Sequence, residues 1–186
     1  MNTCRTLVVA HGKSELEFCR GLMSNIKMKI VYDSENGGES CIQIRHLTER
    51  FTSEPYVSEN SLHKKFGKLE YLEGKQIKMP GLKIFPIMDT DDSPQTEKSY
   101  RTGNMFRSSV FGDRIIPIFN TPNLDAVLNE CGFRIDPNNK IRSYAALVEG
   151  YELRDLIAGL KNCGNTNLPV FLEYCASVTP SYQNTL

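Results

Sequence analysis

The chain has 186 residues and a mass of 21.1 kDa, which suits one compact domain with its own core rather than a large multidomain enzyme. Hydrophobic residues make up 40% of the sequence and charged residues 24%, so we expect a folded protein. The 22 lysines and arginines balance the 22 aspartates and glutamates. A net charge of zero excludes a uniformly basic coat for nucleic acid but leaves room for a local basic patch.

The first predicted unit is a strand, a tight glycine turn and a helix. The apolar run at residues 5–10 does not alternate with polar residues, which is typical of a strand buried on both faces. The run ends at His11 and Gly12, and Ser14 and Glu17 then form a capping-box pattern that predicts a helix. A short second strand is expected at residues 29–32.

The rest of the chain alternates in the same way, with one irregular segment. Residues 52–80 combine prolines, glycines and lysines without clean periodicity, which indicates an insertion or a mobile helix–loop segment. Apolar runs at residues 82–88 and 114–119 predict buried strands, and Pro117 favours an edge or a bulge for the second. The other predicted helices cover residues 40–51, 96–106, 121–131, 144–162 and 168–177.

Strands that alternate with helices predict an α/β fold with a mainly parallel sheet of about four strands, flanked by helices and followed by C-terminal helices. In such sheets, ligands bind at the carboxyl ends of the strands. We therefore expect one site there. The expected division of this single domain, 1–186, is a core at 5–130, a lysine-containing insertion at 52–80 and a C-terminal helical segment at 140–180.

An acidic cluster follows the strand at residues 82–88. Asp89, Asp91 and Asp92 repel one another unless a cation or a proton intervenes, and the first two face the same way along extended chain. Carboxylate oxygens favour a hard ion, so the pattern predicts Mg²⁺ or Mn²⁺. The alternative interpretation is a solvated turn that caps a helix.

The turn after the first strand is a candidate phosphate-binding site. Gly12 lets backbone amides approach an anion, Lys13 could neutralise a phosphate, and Ser14 opens the helix. His11 at the strand end is either a functional group or a polar residue at the rim of the sheet.

The cysteines do not indicate metal binding or export. Six are present, none forms a CxxC pair, and no Cys/His cluster has zinc-ligand spacing. We expect reduced thiols in the core of a cytoplasmic protein, with no membrane-spanning segment.

The two motifs together resemble the Toprim domain of topoisomerases, primases and OLD-type nucleases. In that family, a hydrophobic strand ends in Glu-Gly before a Thr/Ser–Glu pair, and Gly12, Ser14 and Glu15 match this pattern. Asp89 and Asp91 match the Asp-x-Asp at the end of the family's second motif. The chain looks most like RloB-like proteins, small Toprim proteins associated with bacterial defence, over residues 5–130.

The chain departs from the family at two positions. His11 stands where the first-motif glutamate falls, and Asn120 stands where a later glutamate would fall. In Toprim enzymes, the glutamate is implicated as general acid or base and the Asp-x-Asp pair binds Mg²⁺. The resemblance implies that His11 substitutes for this glutamate or that Glu15 supplies a carboxylate, or else that hydrolysis is lost.

Three functions follow from this resemblance. The leading one is a Mg²⁺-dependent phosphodiester nuclease, for which the resemblance implies a role in anti-phage defence. Its expected metal ligands are Asp89, Asp91 and Asp92. Its expected catalytic groups are His11, Lys13 and Glu15. The expected contacts with the RNA or DNA backbone are Lys64, Lys65 and Lys68. The alternatives are a catalytically inactive module that binds a nucleotide or nucleic acid, and an interaction subunit whose C-terminal helices dock a protein partner or a second copy.

Overall fold

The computed structural model describes residues 4–72, 74, 76–91 and 94–180. It has an α/β fold built on a four-stranded, wholly parallel sheet in the order β2–β1–β3–β4. The strands are β1 (Thr6–Ala10), β2 (Val31–Asp33), β3 (Lys83–Asp89) and β4 (Ile118–Asn120). The helices are α1 (Lys13–Ile26), α2 (Leu47–Thr52), α3 (Glu59–Lys65), α4 (Glu97–Arg101), α5 (Leu124–Glu130), α6 (Lys140–Gly150), α7 (Leu153–Lys161) and α8 (Leu168–Val178). This architecture confirms the predicted fold class.

Both faces of the sheet are covered, which explains the continuous apolar runs of β1 and β3. On one face, which we call the helical face, Val8 and Phe85 pack beneath α1, α5, α6, α7 and α8. On the other, which we call the mixed face, Leu7 and Val9 pack beneath residues 42–115. The irregular segment at 52–80 belongs to the mixed face, because Tyr56, Leu62, Leu69 and Met79 are buried there.

Pro117 shortens the last strand. The backbone N–H of Ile116 donates to Ile84 O, but a proline has no N–H, and the ladder with β3 resumes only at Ile118. β4 is an edge strand, so the edge position predicted from Pro117 is confirmed.

Three predicted helices differ from the structure. The helix predicted at 96–106 is only α4, followed by a separate 3₁₀ turn at Asn104–Phe106. The helix predicted at 40–51 is only α2 preceded by a 3₁₀ turn at Ile44–His46, because the N–H of Ile42 donates to His11 O and holds the chain beside β1. The helix predicted at 144–162 is two helices, since α6 ends at Gly150 and Tyr151 is extended.

The prediction that all six cysteines are core thiols is wrong for Cys41, which is exposed. Cys131 and Cys163 are half-buried, and the other three are buried. All six are free of disulfides. No helix among the described residues is long and apolar enough to cross a membrane.

Candidate functional site

The carboxyl ends of three neighbouring strands bring candidate residues together. His11 follows β1, Asp89 ends β3 and Asn120 ends β4, with Asp89 and Asn120 paired in register. His11 is tied to β3 because its N–H donates to Ile87 O at 2.9 Å. The parallel topology therefore places these three residues along one edge of the sheet.

Glu15 lies at the same edge because of how α1 begins. Gly12 is the N-cap of α1, and the Glu15 side chain reaches back so that its Oε2 accepts the Gly12 N–H at 2.9 Å. The prediction of a capping box formed by Ser14 and Glu17 is therefore wrong, because the helix begins two residues earlier and only Glu15 caps it, by accepting the Gly12 N–H. Since the Gly12 amide is engaged by Glu15, it is not available to a phosphate in this arrangement.

Glu15 and Asp89 form a pair of interacting carboxyl groups. Glu15 is 1% exposed, and its Oε1 has no hydrogen-bond partner within the described part of the chain. Burial first, and the charge of Glu15 second, raise the pKa of Asp89 to about 9. Burial also raises the pKa of Glu15. The two groups cannot both ionise without a proton or a cation between them.

The backbone and nearby charges hold this pair in place. Asp89 Oδ1 accepts the N–H of Leu124, the first residue of α5, at 2.9 Å. The charge of Asp91 raises the pKa of Asp89 further, so Asp91 acts on the pair although it is exposed. Asp92, the third predicted ligand, lies outside the described residues.

The donor set fits a hard divalent cation only in part. Among the residues that the structure describes, no group of three or more His, Cys, Asp or Glu side chains is placed to hold a metal. Mg²⁺, however, is commonly held by one or two carboxylates, with waters and substrate phosphates completing its shell. The oxygen of Glu15 without a donor, beside Asp89, suits such a pair.

His11 is buried beside the pair, and one of its nitrogens is engaged. Its Nδ1 lies 3.0 Å from Ile42 O, which can only accept, so Nδ1 carries the proton and Nε2 is the acceptor nitrogen. The charge of His11 lowers the pKa of Glu15, which places the imidazole within electrostatic range of the carboxyl pair.

The remaining residues of the turn meet α6. Lys13 is exposed, whereas Ser14 Oγ accepts a hydrogen bond from Lys140 Nζ at 3.3 Å. Lys140, the first residue of α6, also forms an ion pair with Asp125 of α5. Lys140 thus adds a cation to this edge that the sequence motifs did not indicate.

The Asn120 side chain is fully buried, and only part of its hydrogen-bonding capacity is used by the described residues. Its Oδ1 accepts from Thr166 Oγ1 at 2.9 Å, while its Nδ2 has no acceptor in the described part of the chain. The side chain therefore offers one donor at the end of β4 but no acid.

Arg101 is a candidate that the sequence analysis missed. It hydrogen bonds to Thr121 Oγ1 at 2.6 Å, and Thr121 Oγ1 lies 2.8 Å from Thr90 Oγ1, next to Asp89. Its guanidinium also stacks 3.7 Å from the centroid of Phe119. It follows β3 without any motif, so only the fold brings it to the site.

The three lysines predicted to contact the nucleic-acid backbone lie away from the candidate site. Lys64, Lys65 and Lys68 are exposed at the end of α3 and just after it. Leu69 forms a parallel bridge with Cys4, which precedes β1, so Lys68 lies at the amino end of the sheet. The structure does not bring these lysines to the carboxyl ends of the strands.

Comparisons of the chain with protein-family models, with curated proteins and with solved structures found no match. The chemistry of the site must therefore be argued from its own residues.

Proposed function

We propose that this protein is a Toprim-type, Mg²⁺-dependent phosphodiester nuclease that acts on RNA or DNA in the cytoplasm. The observation that carries the proposal is the pair of Glu15 and Asp89 carboxyl groups, with one oxygen that has no donor. Such a pair lowers stability unless a proton or cation intervenes, and proteins concentrate such perturbed groups at functional sites. The resemblance to RloB-like proteins adds the further proposal of a role in anti-phage defence.

The roles follow from the positions of the side chains. Glu15 and Asp89, with Asp91 beside them, would hold the ion, which would polarise a phosphate and acidify a water. His11 would accept a proton at Nε2, because Nδ1 donates to Ile42 O. Arg101 and Lys140, which pair with Glu97 and Asp125 in this structure, would be the cations that neutralise phosphate oxygens.

The test is a cleavage assay with labelled RNA and DNA in Mg²⁺, Mn²⁺ or EDTA. We expect cleavage only with metal, and a loss of about a hundredfold or more in Asp89→Asn and Glu15→Gln. Glu17→Gln is the matched control, since Glu17 lies on the same helix and, among the described residues, forms its ion pair with Arg20 rather than with the carboxyl pair. Cleavage that survives in the Glu15→Gln/Asp89→Asn double variant would falsify the proposal.

One observation favours a second candidate, a catalytically inactive module that binds nucleotides or nucleic acid. Among the described residues, no group of three or more His, Cys, Asp or Glu side chains is placed to hold a metal, and Asn120 cannot transfer a proton as glutamate can. Thermal stabilisation by a nucleotide or a strand in Mg²⁺, with no cleavage of any substrate, would support this candidate over the nuclease.

A further inference from the structure

A polar cavity of about 540 Å³ lies against α6 and the segment after α5. Its wall includes Arg134 and Arg142, together with Ser143 and Tyr151. The backbone N–H of Asp136 donates to Ser143 Oγ at 3.0 Å, which ties the segment after α5 to α6 and fixes the relative position of the two arginines' backbones.

The two arginines differ from most others in the chain. Six arginines form ion pairs with carboxylates, namely Arg5, Arg20, Arg50, Arg101, Arg114 and Arg154. Arg134 and Arg142 are exposed and form no ion pair with any described residue. The acid in the cavity wall, Asp136, accepts the N–H of Asn138 at 2.9 Å. Two guanidinium groups without carboxylates at one cavity suit phosphate oxygens.

Tyr151 gives the cavity a second kind of contact. Its ring is 42% exposed and packs edge-on against Phe133, with ring centroids 5.1 Å apart. An anchored, exposed aromatic ring is a platform on which an unpaired base can stack. Arginines with such a ring are the combination by which proteins hold single-stranded nucleic acid.

The cavity is connected to the carboxylate pair through α6. Lys140, one turn before Ser143, reaches Ser14 Oγ, and Ser14 is the neighbour of Glu15 in α1. Lys13 is exposed at the same helix start. Lys13 and Lys140 therefore lie at the starts of α1 and α6, close to Glu15 in the chain and in the fold, and Arg142 follows Lys140 by two residues in α6.

We propose that this cavity binds the phosphates and one base of a single-stranded nucleic acid, and that Lys140 and Lys13 lead the strand to Glu15 and Asp89. The substrate class rests on the proposed function, but binding by the cavity requires neither the metal nor the chemical step. We call the four cations Lys13, Lys140, Arg142 and Arg134 the basic track.

The test is binding of a short, fluorescently labelled single strand, measured by anisotropy in EDTA over a range of salt. We expect Arg134→Ala/Arg142→Ala to weaken binding at least about tenfold and to reduce the slope of log affinity against log salt by about 1.4, or about 0.7 for each phosphate contact. Tyr151→Leu should weaken binding about tenfold, while Tyr151→Phe retains it.

Matched controls test whether binding depends on this cavity or on positive charge anywhere on the protein surface. Arg107 is exposed and has no ion pair with a described residue, but it lines a different cavity with Gly103 and Pro117. Arg107→Ala and Lys64→Ala/Lys65→Ala/Lys68→Ala should leave affinity and salt slope unchanged. Because neither cavity arginine forms an ion pair with a residue that the structure describes, we expect Arg134→Ala/Arg142→Ala to melt at the wild-type temperature.

The outcomes are distinguishable from those of the cleavage assay. Loss of binding in the cavity variants supports the inference even if the wild type never cleaves, in which case only the nuclease fails. Wild-type affinity in the cavity variants, or an equal loss in Arg107→Ala, overturns it. Equal competition by a mononucleotide at the same nucleotide concentration also overturns it, because the cavity then takes a free nucleotide rather than a strand.

Discussion

The Glu15–Asp89 pair makes stability depend on pH in a predictable direction. Both pKa values are raised above the value of about 4 expected in the unfolded chain, so the native state binds more protons between about pH 4 and about pH 9. The contribution of the pair to the free energy of unfolding is fully present below about pH 4 and is lost as pH rises through the native pKa values. His11, Asp91 and Asp125 act on the same pair and modulate the window.

We expect the melting temperature in EDTA to fall between about pH 5 and about pH 8 and the Asp89→Asn variant to show a flatter profile, because its amide does not ionise. Thermal melts across this range measure the effect. Glu17→Gln should keep the wild-type slope, since Glu17 is outside the pair. A variant Asp89→Asn whose slope equals that of the wild type would contradict the coupling of the two carboxyl groups.

Divalent metal should reverse the loss of stability at higher pH. An ion that binds only the native state stabilises it by about 2.7 kcal/mol when present at about 100 times its Kd. We expect Mn²⁺ at about pH 8 to raise the melting temperature of the wild type by several degrees and of Glu15→Gln/Asp89→Asn by much less. Equal shifts in the two proteins would show that the ion binds elsewhere.

Residue patterns located the site but not its central contact. The positions of His11, Asp89 and Asn120 follow from the ends of apolar strands, which sequence reveals well. The partnership of Glu15 with Asp89 depends on which residue caps α1, and two overlapping patterns, Gly12–Glu15 and Ser14–Glu17, both fit a helix start. The structure selects the first, because Glu15 accepts the Gly12 N–H and lies within interaction range of Asp89.

A glycine loop before α2 supports the first turn of α1. Gly38 has a φ of +91°, and a Cβ there would lie 3.2 Å from Lys13 Cα and 3.2 Å from Leu16 Cδ2. Gly37 also has a positive φ, of +67°, but a Cβ there would meet no atom within 4 Å. A substitution at Gly37 therefore tests backbone strain alone, whereas a substitution at Gly38 tests strain together with contact with α1.

We expect Gly38→Ala to lower the free energy of unfolding by about 3 kcal/mol and Gly37→Ala by about 1 kcal/mol. Denaturant unfolding measures both, and the excess at position 38 should appear with reduced cleavage, because Lys13 must shift. Equal losses in the two variants would mean that the loop does not support α1.

Tyr100 joins α4 to the two strands that carry Asp89 and Asn120. Its hydroxyl is fully buried and lies 2.8 Å from Pro86 O in β3 and 2.7 Å from Ile118 O in β4. Tyr100→Phe should cost about 2 kcal/mol in unfolding free energy, because the one buried O–H that the two carbonyls share is lost. Tyr151→Phe is the control, with an exposed ring and an expected cost near zero.

Elements were predicted with uneven success for a physical reason. Strands such as β3 are read from continuous apolar runs, whereas helix ends depend on local contacts. The break between α6 and α7 follows Gly150, in a stretch where the apolar spacing continues through Tyr151 into Leu153. The late start of the helix predicted at 40–51 reflects a single hydrogen bond from the Ile42 N–H to His11 O.

The molecule as a whole is one sheet enclosed by two layers, so neither layer can be lost without exposing the strands. We expect one cooperative thermal transition. Leu172→Ala on the helical face and Leu47→Ala on the mixed face should each cost about 2–5 kcal/mol and lower that single transition. Calorimetry that resolves two transitions, each moved by only one variant, would contradict this expectation.

Zero net charge conceals the arrangement that the proposals use. Composition left room for a local basic patch, but chain order pointed to lysines that lie at the amino end of the sheet. The basic track is scattered over α1, α6 and the segment after α5, and folding alone assembles it. Distribution in space, rather than the sum of charges, therefore sets the expected salt dependence of binding.

Cys41 offers an exposed thiol for chemical labelling close to the candidate site. Among the six cysteines, all within the described residues, it is the exposed one, and its Sγ would lie 3.3 Å from a Cβ added at Gly12. A maleimide reagent should therefore modify this thiol first and place a reporter at the start of α1. Protection of Cys41 from labelling, followed by mass spectrometry, would report occupancy of the turn by any ligand, without tryptophan fluorescence or an activity assay.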